Sequence, residues 1–374
     1  MSGVGYLAAD LLHLNPKFWI LFFFIGMALF LVLSTIRIKV TTRVQIVVGV
    51  VTVAIILIVD VVTTAKGGAH GQALSAFSFG HSLKGGFSGV FYGIILGVTS
   101  YIGFETAADF GEETANPRRN IPIAVIAATG FVVVFYLLTT YAIDIGFGVT
   151  NGAKFGADPV ALKTTATTYV GPWLGTLVEI GGMAAAFIVC VACATAAART
   201  LFSMGREGVL PAAFARTHPQ WKTPVNATLA VTAVSIVMAL VMGYPLSDPT
   251  FGAPFSNYYF WATVGTLLII VVYILVCLGG VRFFWQTRDS RRWNPIVHVV
   301  VPVVGAVVFA AAWYGSVHPT PPGILKWTPF VAVAWLVIGL GVLAWLRLRR
   351  PQAVAKIGSI LGEEGGRDAA VLDK

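Results

Sequence analysis

Long apolar runs separated by short polar segments organise this chain from end to end. Crossing a hydrocarbon core of about 30 Å takes about 20 helical residues. Runs of that length fall near 17–38, 43–64, 88–111, 121–146, 173–199, 224–243, 257–281, 294–316 and 327–347. The first is too long for a removable signal segment, has no small-residue cleavage site and is followed at once by a second run. Hydrophobic residues make up 57% of the chain and charged residues 11%, which excludes an ordinary soluble domain. The pattern predicts an all-α polytopic membrane protein of about nine transmembrane helices.

One run departs from uniform hydrophobicity. Between Gly97 and Pro122 the sequence reads GVTSYIGFETAADFGEETANPRRNIP, with Gly97, Thr99, Ser100, Gly103 and Thr106 interrupting the apolar residues and four carboxylates following. A broken helix at membrane depth is tolerated where the freed backbone faces protein or a polar cavity. A helix that stops near Thr99 and restarts near Ile102 exposes carbonyls from its first half and N–H groups from its second. Such a break can hold an ammonium and a carboxylate together. The close-packing reading of Gly and Ser in a membrane helix is the alternative. Downstream, Asn120 and Pro122 read as the cap and first-turn proline of the next helix.

Glu105, Asp109, Glu112 and Glu113 recur at i, i+4, i+7 and i+8, so they share one helical face. Glu105 is nearest the break, where an unpaired charge is costly, and is the candidate for proton coupling or gating. Asp109, Glu112 and Glu113 suit an ion-pair gate with Arg118, Arg119 and Arg206. Glu179, about two turns inside its run, is a second candidate for coupling or for attracting a cation, with an interhelical hydrogen bond as the alternative. Asp60 and Asp144 sit near span ends and read as interfacial.

The net charge of +9 is explained by topology. Lys and Arg concentrate in alternate connections, around Arg37–Arg43, Arg118–Arg119, Arg199–Lys222, Arg282–Arg292 and after the last run. With these segments cytoplasmic, the chain starts outside and ends inside. No nucleic-acid partner follows from the charge; the partners implied are the lipid bilayer, a small solute and a coupling ion, H+ or Na+. Segments 65–87 and 151–169 read as external loops, the second covering a vestibule, and the opening residues 1–19 read as an external polar loop. The tail 351–374 reads as cytoplasmic and polar.

Two motifs resemble a known family. Gly103-Phe104-Glu105, Glu112-Glu113, Asn116-Pro117-Arg118-Arg119 and Ile121-Pro122 resemble the sixth helix and following loop of the amino acid-polyamine-organocation permeases. The block Arg199-Thr200-Leu201-Phe202-Ser203-Met204-Gly205-Arg206-Glu207-Gly208-Val209-Leu210-Pro211, with His218-Pro219 and Thr223-Pro224, resembles that family's eighth helix and next loop. The resemblance implies a leucine-transporter-like inverted-repeat fold whose helices four to twelve are present here, the first three lying outside this chain. By it, 1–64 ends the first repeat, 65–281 is the second with its broken helix at 88–111, and 282–350 holds two peripheral helices. It implies a plasma (inner) membrane transporter of amino acids or related amines, proton-coupled or exchanging and working by alternating access. Thr99, Ser100, Tyr101, Ile102, Gly103 and Phe104 then hold substrate. A polyamine or organic-cation carrier and a non-transporting fragment are the alternatives.

Two departures limit that mechanism. Relatives that place a lysine midway along the fifth helix correspond to Thr52 here, and an aromatic gate of the sixth helix corresponds to Thr99, with Tyr101, Phe104, Phe91 and Tyr92 near enough to substitute. Thr195 and Thr200 are ordinary hydroxyls that identify no sodium site. Cys190 and Cys193 lie in an Ala- and Val-rich run and read as packing residues. No phosphate-binding loop, metal-ligand spacing or paired nucleophile and base occurs, so neither an enzyme nor a cofactor is expected.

Overall fold

The computed structural model describes residues 1–35, 38–78, 97–104, 114–158, 160–218, 223–247, 252–286, 288, 293–318, 320, 323–351 and 354. Among them no strand occurs. The helices are α1 (Ser2–Leu11), α2 (Trp19–Thr35), α3 (Ile38–Ala65), α4 (Pro117–Phe147), α5 (Gly152–Ala157), α6 (Ala161–Tyr169), α7 (Pro172–Arg206), α8 (Val225–Gly243), α9 (Ala253–Gln286), α10 (Val301–Val317) and α11 (Thr328–Arg349). A helical stretch over 97–101 precedes α4. Eight of the described segments are long and apolar enough to cross a membrane, and the protein is a multi-pass membrane protein. Most of the expected run 88–111 lies outside the described residues.

Proline sets several helix starts. Pro117 opens α4 and Pro172 opens α7, positions where a missing N–H costs nothing because the first turn has no intrahelical acceptor for it. The cap of α4 is Asn116, at φ 50°, and Pro122 lies inside the helix. This corrects the expected start at Asn120. The Asn120 amide instead donates back to the Ala115 carbonyl and fastens the connection from within the first turn.

The helices meet in three apolar clusters. Trp19, Phe23, Met27 and Phe30 of α2 pack with Val191 of α7 and Ala239 of α8. Met242 of α8, Phe260, Val264 and Leu267 of α9 and Ala332 of α11 form a second. Val59 of α3, Ala166 of α6, and Leu174 and Val178 of α7 form a third. Outside these clusters large apolar side chains face outward; Ile126 is 72% exposed and Val50 64%. Continuous outward apolar surface of this kind matches a lipid environment.

Two segments expected to be loops are helices. The opening residues form α1, whose face of Ser2, Gly5 and Ala9 is buried against α2, α7 and α9. A side chain at Gly5 would overlap the Trp19 carbonyl oxygen, so the two helices approach as closely as glycine permits. The threonine-rich segment 151–169 forms α5 and α6. Leu162, Ala166 and Val170 recur at four-residue spacing and seat α6 on α3 and α7, while Thr165 and Thr168 satisfy their hydroxyls on their own helix at Ala161 and Thr164. Threonine composition hid this helix because the hydroxyls turn inward to backbone carbonyls rather than to solvent.

Asp60 is also placed differently from expectation. It is 4% exposed, enclosed between α3 and α4 rather than lying at an interface.

Candidate functional site

The helical stretch 97–101 ends at Tyr101, and 102–104 form a turn in which Gly103 adopts φ +126°. Residues with a side chain rarely reach that conformation, so glycine is what allows the chain to leave the helix here. The last carbonyls of a helix lack intrahelical donors and carry the negative end of its dipole. An ammonium group is the natural occupant of such an end.

Side chains from α4 and α9 hold this helix end. The Tyr136 hydroxyl of α4 donates to the Ser100 carbonyl oxygen at 3.0 Å, and the Tyr136 ring meets the Tyr101 ring edge-on at 5.6 Å. Thr99 Oγ1 lies 3.0 Å from Thr266 Oγ1 of α9. Thr266 also donates to the Ala262 carbonyl at 2.8 Å. Phe104 stacks on Tyr273 of α9 at 5.7 Å, and Tyr273 in turn packs on Phe309 of α10 at 5.2 Å. Ser100 is exposed, while Thr99, Tyr101, Ile102, Gly103 and Phe104 are half-buried.

Tyr136, Thr266 and Tyr273 were not singled out in the sequence. Each is a hydroxyl-bearing residue inside an apolar span, which is the signal that could have drawn attention to them. Nothing in the order of residues says that α4 and α9 flank 97–104.

Glu105, Asp109, Glu112 and Glu113 lie outside the described residues, as does the side chain of Arg118. Arg119 is exposed near the start of α4. Arg206 closes α7 with its guanidinium 5.7 Å from the centre of the Phe202 ring. Thr52 is 8% exposed, with its hydroxyl 3.5 Å from the Gly181 carbonyl of α7. Thr195 and Thr200 both donate to carbonyls of their own helix, at Val191 and Ala196.

A second polar cluster joins α1, α6 and α7 at the end of the bundle where α3 finishes and α7 begins. Glu179, with its side chain 4% exposed, accepts from Lys163 of α6 at 2.6 Å, and Lys163 also lies 3.8 Å from Asp10 of α1. Among the described residues Oε1 of Glu179 has no hydrogen-bond partner. The contacts described for 97–104 therefore run to α4 and α9, with Tyr273 of α9 packed in turn on α10, and the ion pair of Glu179 runs to α6. Elsewhere, a cavity of about 670 Å³ opens between α8, α9 and α11, lined by apolar residues such as Met242, Phe260, Ile324 and Trp327 with Lys326 at its rim. It is a separate feature from the helix end at Tyr101.

The amino acid permease family matches residues 1–343. Similar proteins include the methylthioribose transporter of Bacillus subtilis (strain 168), 29% identical over 253 residues, covering 66% of this chain and 49% of that protein. Cationic amino acid transporter 5 of Arabidopsis thaliana is 24% identical over 287 residues, covering 69% and 49%. The low-affinity putrescine importer PlaP of Escherichia coli (strain K12) is 26% identical over 255 residues, covering 66% and 49%. The chain spans about half the length of these curated relatives.

Proposed function

This chain belongs to the amino acid permease family, and on that premise we propose that it serves secondary transport of amino acids or related amines by alternating access. The observation that carries this reading is the helix end at Tyr101. There, carbonyls of Ser100, Tyr101 and Ile102 meet a Gly103 turn between polar and aromatic side chains of α4 and α9. Carbonyls at the negative end of a helix dipole bind a substrate ammonium without a side-chain carboxylate. Thr99 and Phe104 border the same turn and complete the proposed site.

Glu105, next along the chain, is the proposed coupling carboxylate. Asp109, Glu112 and Glu113, with Arg118, Arg119 and Arg206, form the proposed cytoplasmic ion-pair gate. The reading places the start of the chain outside and its end in the cytoplasm, in agreement with the distribution of basic residues.

A polyamine or organic-cation substrate is the second reading. The printed function of the putrescine importer supports it. The pairing of Glu179 with Lys163 counts against it, because that carboxylate is already neutralised and does not offer itself to a second amine.

The test is binding and uptake with the purified protein. Radiolabelled amino acids and polyamines are offered as a panel, in detergent for binding and in proteoliposomes with and without an inward proton gradient for uptake. Saturable binding of an amino acid that is competed by its analogues, and lost when Gly103 is replaced by alanine, is the expected result. Binding of none of the panel overturns the reading; binding of polyamines alone replaces it with the second.

A further inference from the structure

Asp60 lies on α3 five residues before its end at Ala65, about 7.5 Å along the helix axis. It is 4% exposed, and its Oδ2 is 2.6 Å from the Thr139 hydroxyl of α4. Among the described residues its Oδ1 has no hydrogen-bond partner. Thr63, one turn further along α3, is 0% exposed and its hydroxyl has none either. Two buried oxygens without partners stand one turn apart beside the α3–α4 contact.

The titratable groups on the helices packed against α3 are engaged elsewhere. On α4, Tyr141 stacks on Phe77, and Asp144 is half-buried with a partner of its own. On α6, Lys163 pairs with Glu179 and Asp10, and the Tyr169 hydroxyl donates to the Gly146 carbonyl at 2.8 Å. On α7, Glu179 is held by Lys163. Lys66, just past the end of α3, donates to the Tyr169 carbonyl. Among the described residues no cation reaches Asp60.

Among the described residues, an ionised carboxylate here would have one hydroxyl donor and no counter-charge. Burying an ion in that state is costly even after relaxation of the surroundings. The neutral acid has a consistent arrangement. Its proton sits on Oδ2 and is donated to Thr139 Oγ1, and Oδ1 is left as an under-satisfied carbonyl oxygen, a far smaller cost than an unpaired charge. The 2.6 Å separation suits an O–H···O bond donated in either direction, so the missing counter-charge decides between them.

We propose that Asp60 is a proton-binding site, a carboxyl that can hold a proton while α3 and α4 are closed on one another. Release is simple dissociation to water, leaving a carboxylate, and needs no other reactant than water reaching the contact. Separation of α3 from α4 therefore exchanges a proton with the medium. The inference concerns the resting chain and is independent of which solute binds at the Tyr101 helix end.

Infrared spectroscopy of the full chain in lipid nanodiscs, titrated from acid to neutral pH without substrate, tests it. The wild-type spectrum is expected to contain a protonated-carboxylic-acid C=O stretch that is absent from Asp60→Asn. In Thr139→Val the band is expected to persist at a shifted frequency, because the acid loses its hydrogen-bond acceptor. Should Asp60→Asn fail to fold, the presence or absence of that shift in Thr139→Val decides the question alone. A spectrum with no Asp60-dependent acid band anywhere between acid and neutral pH overturns the proposal. So does a carboxylate band at Asp60 that moves on adding sodium, which would make the site one for a metal cation instead.

Discussion

The Lys163 ammonium lies 2.6 Å from the Glu179 carboxylate and ties α6 to α7. The partners are unequally buried, with side-chain exposures of 34% for Lys163 and 4% for Glu179. Their removal is therefore not symmetrical. Taking away the lysine leaves a buried negative charge, whereas taking away the charge on the glutamate leaves a cation that can turn toward solvent.

Lys163→Met is accordingly expected to destabilise the protein by about 3 kcal/mol, the lower end of the range for breaking a buried pair, since Lys163 is partly solvated. Glu179→Gln should cost less, about 1 kcal/mol. The double variant should recover most of the loss of Lys163→Met. Unfolding of the three variants in detergent, followed by denaturant titration, completes the cycle; a double variant as unstable as the sum of the singles would show that the pair is not coupled.

The Tyr136 hydroxyl occupies the Ser100 carbonyl, the same oxygen proposed to receive a substrate amine. Tyr136→Phe should therefore move two readouts in opposite directions. Stability falls by about 1 kcal/mol for the lost hydrogen bond. Amine affinity rises by up to about tenfold, since about 1.4 kcal/mol of competition at the carbonyl is relieved. Equilibrium binding of the radiolabelled ligand beside thermal unfolding measures both, and a fall in affinity would place Tyr136 among the groups that help to hold the ligand.

Gly103 and Gly97 form a matched pair for testing the helix end. Among the described residues a Cβ at either meets nothing within 4 Å, so the two differ in backbone conformation rather than in crowding. Gly97 is helical and Gly103 has φ +126°. Gly97→Ala should be neutral or stabilising by up to about 1 kcal/mol. Gly103→Ala should cost about 1–3 kcal/mol in backbone strain and abolish ligand binding. Ligand binding by Gly103→Ala at the wild-type level would show that the turn is not part of the site.

Gly5 offers a similar contrast with Gly3. A side chain at Gly5 overlaps the Trp19 carbonyl, while one at Gly3 meets nothing within 4 Å. Gly5→Ala is expected to lose about 1–3 kcal/mol as α1 is pushed off α2, and Gly3→Ala to change stability little. Cysteine accessibility along α1 reports the displacement directly; unchanged labelling in Gly5→Ala would mean that α1 tolerates the overlap.

The spans were legible because crossing a bilayer demands a property that adds up locally. About 20 consecutive apolar residues suffice, whatever their neighbours turn out to be. The cluster of glycine and hydroxyl residues pointed to a break between Thr99 and Ile102, whereas the helix runs on to Tyr101 and turns at 102–104, because Gly103 is the residue that reaches φ +126°. Helices α1 and α6 were missed because their composition is polar or small. Each is held by contacts with other helices, Gly5 against Trp19 and Ala166 against Val59 and Leu174, which no local window contains.

The sequence by itself therefore determined the membrane environment, the sites of most spanning helices and the family. Tertiary structure alone decided which polar groups are buried and what they meet. Asp60 looks the same on paper whether it faces water or Thr139, 79 residues away, and Ser100 gives no hint that its carbonyl meets Tyr136. Burial and pairing are properties of two segments at once. A charge near the end of an apolar run is cheap at an interface and costly between helices, and only the packing of α3 on α4 distinguishes the two.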